Sequence, residues 1–288
     1  MVRLSLVALV AVLASTLLAP PHVDAQGKEK KADDEVVIGG VATKFVKVPK
    51  GTFWMGWSNH EWITKPPRQS KLVDIERDFE MAACHITQRQ WEKRMGKNPS
   101  WHSRQGGGKE KVKGIVDAVL GRFPVEMVSY DDAQAFLMEL NKQEKDKGWH
   151  YRLPTQAEFE YACREAATSK EDCSSDFYFG KRTNDITSKD ANISGAWIGG
   201  KIVQDLQLFR PESVGSKKPN KLGLYDMQGN VRQWCDKEKG AGCPNRGGCF
   251  SQPGYQAAAA YHQGYPRATD REYDIGVRLV RVRTQMKK

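Results

Sequence analysis

Several features are scarce in this sequence, and each scarcity removes a class of function. Its main apolar run, Leu4–Ala19, is shorter than the ~20 residues a membrane-spanning helix needs and holds no cysteine to carry a lipid. Histidine is rare. The five that follow residue 25 (His60, His85, His102, His150 and His262) show no H-x3-H or H-x-E spacing, which argues against a histidine-built zinc or iron centre. Negative charge is in deficit, with 35 Asp and Glu against 45 Lys and Arg for a net charge of +10. No recognised nucleic-acid motif accompanies that excess. The expected partner is therefore a protein or an anionic polymer of the cell envelope, and not a nucleic acid.

What is present begins with an export signal. Arg3, the Leu4–Ala19 run and the small-residue site Val23-Asp24-Ala25 read as a signal peptide over 1–25, which places the mature chain outside the cytoplasm, periplasmic or secreted. Residues 26–36 are almost wholly polar and cannot offset the entropy of ordering, so they read as a flexible leader. Residues 37–284 then form one domain, followed by a tail over 285–288. Two helices are expected. Tyr130–Lys142 has Ser129 as a cap and Ala133, Phe136, Leu137 and Leu140 on one face; Thr155–Ala166 opens with a capping box, Thr155 followed by Glu158. Past Ala167 the chain is dense in Gly, Pro, Asn and Ser, with no helical periodicity. Two helices in a loop-rich chain that ends in short strands indicate an α+β fold. Gly106–Lys113 (GGGKEKVK) reads as an exposed basic loop.

The most concentrated stretch is Val214–Phe250. In it Asp226, the Gly229-Asn230 turn and Gln233 can aim several oxygens at one point, an arrangement suited to a hard cation such as calcium. GLYDMQGNVRQW followed by RGGCF resembles the signature of the formylglycine-generating enzyme, or sulfatase-modifying factor, family. Further blocks agree in order: FVKVPKGTFWMG, CHITQRQWEKRMGKNPSW, FPVEMVSYDDAQAFLMEL, YRLPTQAEFEYACR, ANISGAW and IGVRLVR. The resemblance implies a C-type-lectin-like fold with a small antiparallel sheet, two main helices and long irregular loops. It also implies one calcium held by Asp226, the carbonyls of Gly229 and Val231, and Gln233 where the oxidases carry Glu. A second would use Asn192, the Ile193 carbonyl and an acid near Asp205. The alternative is that these turns close on hydrogen bonds alone.

Copper is not expected. The oxidases of the family bind copper(I) through two cysteines shortly after the paired glycines, and those positions fall here at Gln252 and Ala257; the serine after the glycines is replaced by Cys249. Cys249 is the one candidate nucleophile, with Arg246 the nearby cation in sequence. Of the six cysteines, Cys163 with Cys173 and Cys235 with Cys243 close short loops and are the preferred disulfides, leaving Cys84 and Cys249 paired or free. The expected function is a catalytically degenerate binding or scaffold protein of this family. One alternative is a formylglycine-generating-type oxidase that acts on a protein cysteine through Cys249. Another is a lectin-like display of ligand on the final segment, through Tyr255, Tyr261, Tyr265, Arg267 and Arg271.

Overall fold

Strand β2 (Val41–Val48) decides the layering. Its side chains alternate across the pleat, yet Phe45 faces one apolar cluster while Val46 and Val48 face another, so the sheet it joins must be covered on both sides. The computed structural model describes residues 35–284 except 57, 59–69, 145–146 and 238–241. The expected signal peptide, most of the expected leader and the 285–288 tail lie outside the described residues. The end of that leader is strand: Glu35 and Val36 belong to β1 (Glu35–Ile38), paired with Lys44 and Thr43 of β2. Among the described residues no helix is long and apolar enough to cross a membrane.

The principal sheet adds β5 (Phe79–Ala82), β6 (Trp149–Arg152) and β14 (Val280–Arg283) in the order β1-β2-β5-β14-β6, every pairing antiparallel. One face packs against α1 (Gln88–Met95) and α3 (Tyr130–Gln143), through Phe45, Tyr151, Trp91, Phe136, Leu137 and Leu140. The other face packs against α4 (Gln156–Cys163) and the hairpin of β3 (Gly51–Met55) with β4 (Lys71–Ile75), through Val46, Val48, Met81, Phe53, Phe159 and Tyr161. Between α4 and β14 the strands are short: β7 (Phe177–Tyr178) with β8 (Arg182–Thr183), β9 (Ala196–Ile198) with β10 (Lys201–Val203), and the trio β11 (Arg232–Trp234), β12 (Asn245–Arg246) and β13 (Ile275–Gly276).

Both expected helices are present, each with a closed capping box: Ser129 with Asp132 for α3, Thr155 with Glu158 for α4. α1, which the apolar pattern did not signal, has a third box, Thr87 with Gln90, and its buried side is largely polar, Gln88 and Gln90 flanking the stacked Trp91. The Gly106–Lys113 segment is not a simple exposed loop. Gly106, Gly107 and Gly108 wrap so closely on Trp101 that a Cβ at Gly107 would meet the indole at 2.2 Å, and Val112 is buried with Leu120 and Phe123. Leu120 ends the one-turn α2 (Asp117–Leu120).

The two sides of α3 should respond differently to truncation. Phe136 is fully buried and stacked on Trp91, so Phe136→Ala should cost ~3–5 kcal/mol in a denaturant melt. Met138, 66% exposed on the opposite side, should change stability by less than ~0.5 kcal/mol when replaced by Ala.

Candidate functional site

The polar centre after the paired glycines is built from three segments. Gly247 and Gly248, both at positive φ, turn the chain tightly enough to bury Cys249 completely. The Cys249 thiol donates to Asp274 Oδ2 at 3.2 Å and lies 3.2 Å from Ser251 Oγ, which donates to the same oxygen at 2.7 Å. Asp274 Oδ1 accepts from Arg232 Nη2, and that nitrogen also donates to Glu272 at 2.6 Å. Burial and the Asp274 carboxylate together push the Cys249 thiol far above its ordinary range, Arg232 offsetting only part of it. A thiol held protonated is neither a nucleophile nor a soft-metal ligand. Arg246, the cation nearest in sequence, points elsewhere: it pairs with Glu160.

The two positions that carry copper cysteines in the oxidases have other work. Gln252 donates to Gln263 Oε1 at 3.1 Å. Ala257 is packed so tightly under the turn that a Cβ on Gly248 would come within 2.7 Å of it.

The side-chain oxygens of Asp226 and Gln233 assigned to calcium lie in one buried turn and have partners of their own. Gln233 Oε1 accepts from Arg278 Nε at 2.8 Å; Arg278, fully buried, spends the rest of its fork on the carbonyls of Ala82, Ala83 and Tyr225. Asp226 accepts from Gly215 N at 2.8 Å, and burial raises its carboxyl from an ordinary 3.8 to about 6. Gly229 N donates to Gly247 O at 2.7 Å, and Val231 is packed in full burial. With a single carboxyl, a neutral amide and the Arg278 guanidinium at this turn, the side chains carry less negative charge than a hard divalent cation usually takes. Of the second set, Asn192 O accepts from Asn230 N at 2.9 Å, the Ile193 side chain is core, and Asp205 accepts from Ser188 N and Oγ. Among the described residues no group of three His, Cys, Asp or Glu side chains could hold a metal ion.

The expected ligand surface divides. Tyr255 and Tyr261 are half-buried in an aromatic cluster with Trp197, ring centroids 5.6 and 5.7 Å apart. Arg267 and Arg271 stay at the surface, tied to Asp270 and Asp132. Tyr265, exposed, faces His262 across 3.5 Å at the rim of a cavity. The structure draws no bond between any two of the six cysteines. For Cys235 with Cys243 the pleat gives the reason: Gln233 pairs with Arg246 and Trp234 with Asn245, so Cys235 lies across from Pro244 and the two cysteines face opposite sides of the ribbon, one in each core cluster. Cys163 and Cys173 share a cluster, where the Cys173 thiol donates to Ala167 O instead of bonding its neighbour. Cys84 lies beside Gly215 and Asp226.

Sequence reasoning passed over one further network. Glu160 in α4 is fully buried between Arg164 and Arg246, and the only trace in sequence is the i,i+4 pairing of Glu160 with Arg164.

This geometry can be set beside known proteins. The description "Sulfatase-modifying factor enzyme 1-like domain" fits residues 37–283. The chain belongs to the sulfatase-modifying factor family. It is 29% identical over 185 residues to the chaperone protein LppX of Paenibacillus barcinonensis, covering 55% of this chain and 61% of that protein. To the formylglycine-generating enzyme of Mus musculus it is 30% identical over 143 residues, covering 47% and 33%; to that of Streptomyces coelicolor it is 27% identical over 150 residues, covering 48% and 40%. The chain thus spans between 33% and 61% of the length of these relatives. The sulfatase-modifying factor fold is shared with PvdO from Pseudomonas aeruginosa (TM-score 0.63, 22% identity, 83% of this chain and 94% of that one) and with Treponema denticola variable protein 1 (TM-score 0.61, 19% identity, 85% and 97%).

Two outcomes follow for the turn and the thiols. A carboxyl whose value is raised on folding binds its proton more tightly in the folded chain, so its stabilising share is complete below pH ~4 and is lost as pH rises through about 6. Asp226→Asn, which keeps an acceptor for Gly215, should therefore raise stability at pH 7.5 by up to about 3 kcal/mol, with the gain vanishing by pH ~4, and melting in chelator and in millimolar calcium should coincide. Alkylation of the denatured protein before and after reduction should label Cys235 and Cys243 equally; labelling only after reduction would show a bond that the ribbon's pleat forbids.

Proposed function

We propose that this chain is an exported, non-catalytic member of the sulfatase-modifying factor family that binds another protein. The observation that carries the reading is the state of Cys249: fully buried, hydrogen-bonded to Asp274 and Ser251, held protonated, and with Gln252 and Ala257 where a copper pair would stand. Oxidation of a substrate cysteine through copper(I) needs soft thiolates that can be reached, and a single shielded thiol supplies neither the pair nor the access. The name of one relative, a chaperone protein, agrees with a binding role.

The fold suits that role. Short strands and irregular loops after α4 are tied down by buried polar side chains rather than by long ladders, which gives a loop-built surface on a braced frame. The alternative, an oxidase using Cys249, would need Asp274 to release the thiol and a second sulfur to reach it.

Purified protein incubated with copper(I) and a peptide of the form Cys-x-Pro-x-Arg should leave the peptide's mass unchanged, and Cys249→Ser should behave like the unaltered chain. Measured turnover that disappears in Cys249→Ser would overturn the binding reading.

A further inference from the structure

The buried charges of α4 leave donors unused. Glu160 Oε1 accepts from Arg164 Nε and Nη2 at 3.0 and 2.9 Å, and Oε2 accepts from Arg246 Nη2 at 2.6 Å, so one carboxylate serves two guanidinium groups. Arg246 Nη2 also reaches Ala259 O at 2.8 Å, whereas its Nε and Nη1, equally buried, donate to no acceptor. A guanidinium cannot shed its charge, and buried donors left without partners are destabilising unless something arrives to meet them.

Arg246 lines a cavity of about 530 Å³, a size typical of small-molecule sites. Lys71, Lys237 and His262 stand around it with the Tyr265 hydroxyl. Gln156 and Ala157, the first two residues of α4, line it as well. Because the capping box engages the N–H of Glu158, the helix still offers its first backbone N–H groups at the positive end of its dipole. Two carboxylates also line the cavity, and both are spoken for. Glu160 holds the two arginines and accepts from Gly56 N at 2.7 Å; Asp236 Oδ1 accepts from the Tyr130 hydroxyl at 2.7 Å and from Lys237 N at 3.1 Å.

We propose that this cavity binds an oxyanion group, a phosphate, sulfate or carboxylate carried by a small molecule, with Arg246 as the buried anchor and Lys71, Lys237 and the start of α4 completing the cradle. None of these residues takes part in the Cys249 hydrogen-bond cluster, so the site stands whether or not that thiol does chemistry. Lone surface lysines attract anions diffusely; a buried guanidinium with idle donors beside a helix start gives the anion a fixed place to sit.

Calorimetric titration of the mature chain with inorganic phosphate, sulfate and acetate, at constant ionic strength set with chloride, tests the site. At least one should bind saturably, and the preferred one identifies a tetrahedral or a planar group. Lys71→Ala combined with Lys237→Ala, both at the surface, should weaken that binding roughly tenfold or more while leaving melting in anion-free buffer unchanged. The pair Lys93→Ala and Lys97→Ala, on and just after α1, should leave it unaltered. The proposal is overturned by absence of saturable binding for all three anions, by wild-type affinity in the first double variant, or by equal weakening in the second. Arg246→Gln, where it folds, should abolish binding.

Discussion

Glu160 stands fully buried at the junction of α4, β12 and the segment after Cys163, and the arrangement of those three depends on it. Through Arg164 it fixes the loop of Cys173 and Ser175, whose carbonyls accept from Arg164 Nη1 at 2.6 and 2.8 Å; through Arg246 it fixes β12 and the Ala259 carbonyl. Through Gly56 N it fixes the end of the β3–β4 hairpin. In a chain where regular structure is sparse, these directional contacts do what strand ladders do elsewhere. Removing one member of such a buried set leaves the others charged and unpaired, a loss on the order of 3–5 kcal/mol.

Arg278 plays the corresponding part on the far side of β11. Its fork gathers the carbonyls of Ala82, Ala83 and Tyr225 with the amide of Gln233, so strand β5, the turn at Asp226 and strand β11 are drawn onto one side chain. Burial lowers its proton affinity to about 10, still high enough to keep the charge at neutral pH. The GLYDMQGNVRQW turn thereby closes around a cation that the chain itself supplies, and the Gln233 oxygen, which looks free to converge on an ion when read in sequence, accepts from that cation.

The parts of this architecture that could be read from sequence are those whose causes are local. The capping boxes at Ser129 and Thr155 and the apolar face of α3 sit within a few residues of one another, and the ordered blocks around Gly229 and Gly247 identify the family. α1 escaped because its inward side carries Gln88 and Gln90, whose amides hydrogen-bond instead of forming an apolar stripe. The opposite facing of Cys235 and Cys243 needed the β11–β12 register, since loop length says nothing about which face a strand residue takes. Tyr255 looked available until Trp197, nearly sixty residues earlier, closed against it, and Tyr261 packs on Tyr255 in turn. Arg246 looked like a neighbour of Cys249 until the pleat of β12 turned it toward Glu160. Except in the β11–β12 ribbon, the deciding partner is distant in sequence.

The two buried ionic clusters are opposite in balance, and that contrast governs what each can do. Around Cys249 one cation, Arg232, is shared by two carboxylates, Asp274 and Glu272, so the surplus is negative, and burial first and Asp274 second favour the protonated thiol there. Around Glu160 two cations share one carboxylate, so the surplus is positive and it borders an accessible cavity. A field of the first kind opposes both a thiolate and any approaching anion. A field of the second kind, in a low-dielectric wall beside a helix start, concentrates anions at one place. The chain has therefore kept the family's frame while its capacity to engage a charged ligand lies with the cluster at α4 and not with the thiol after the paired glycines.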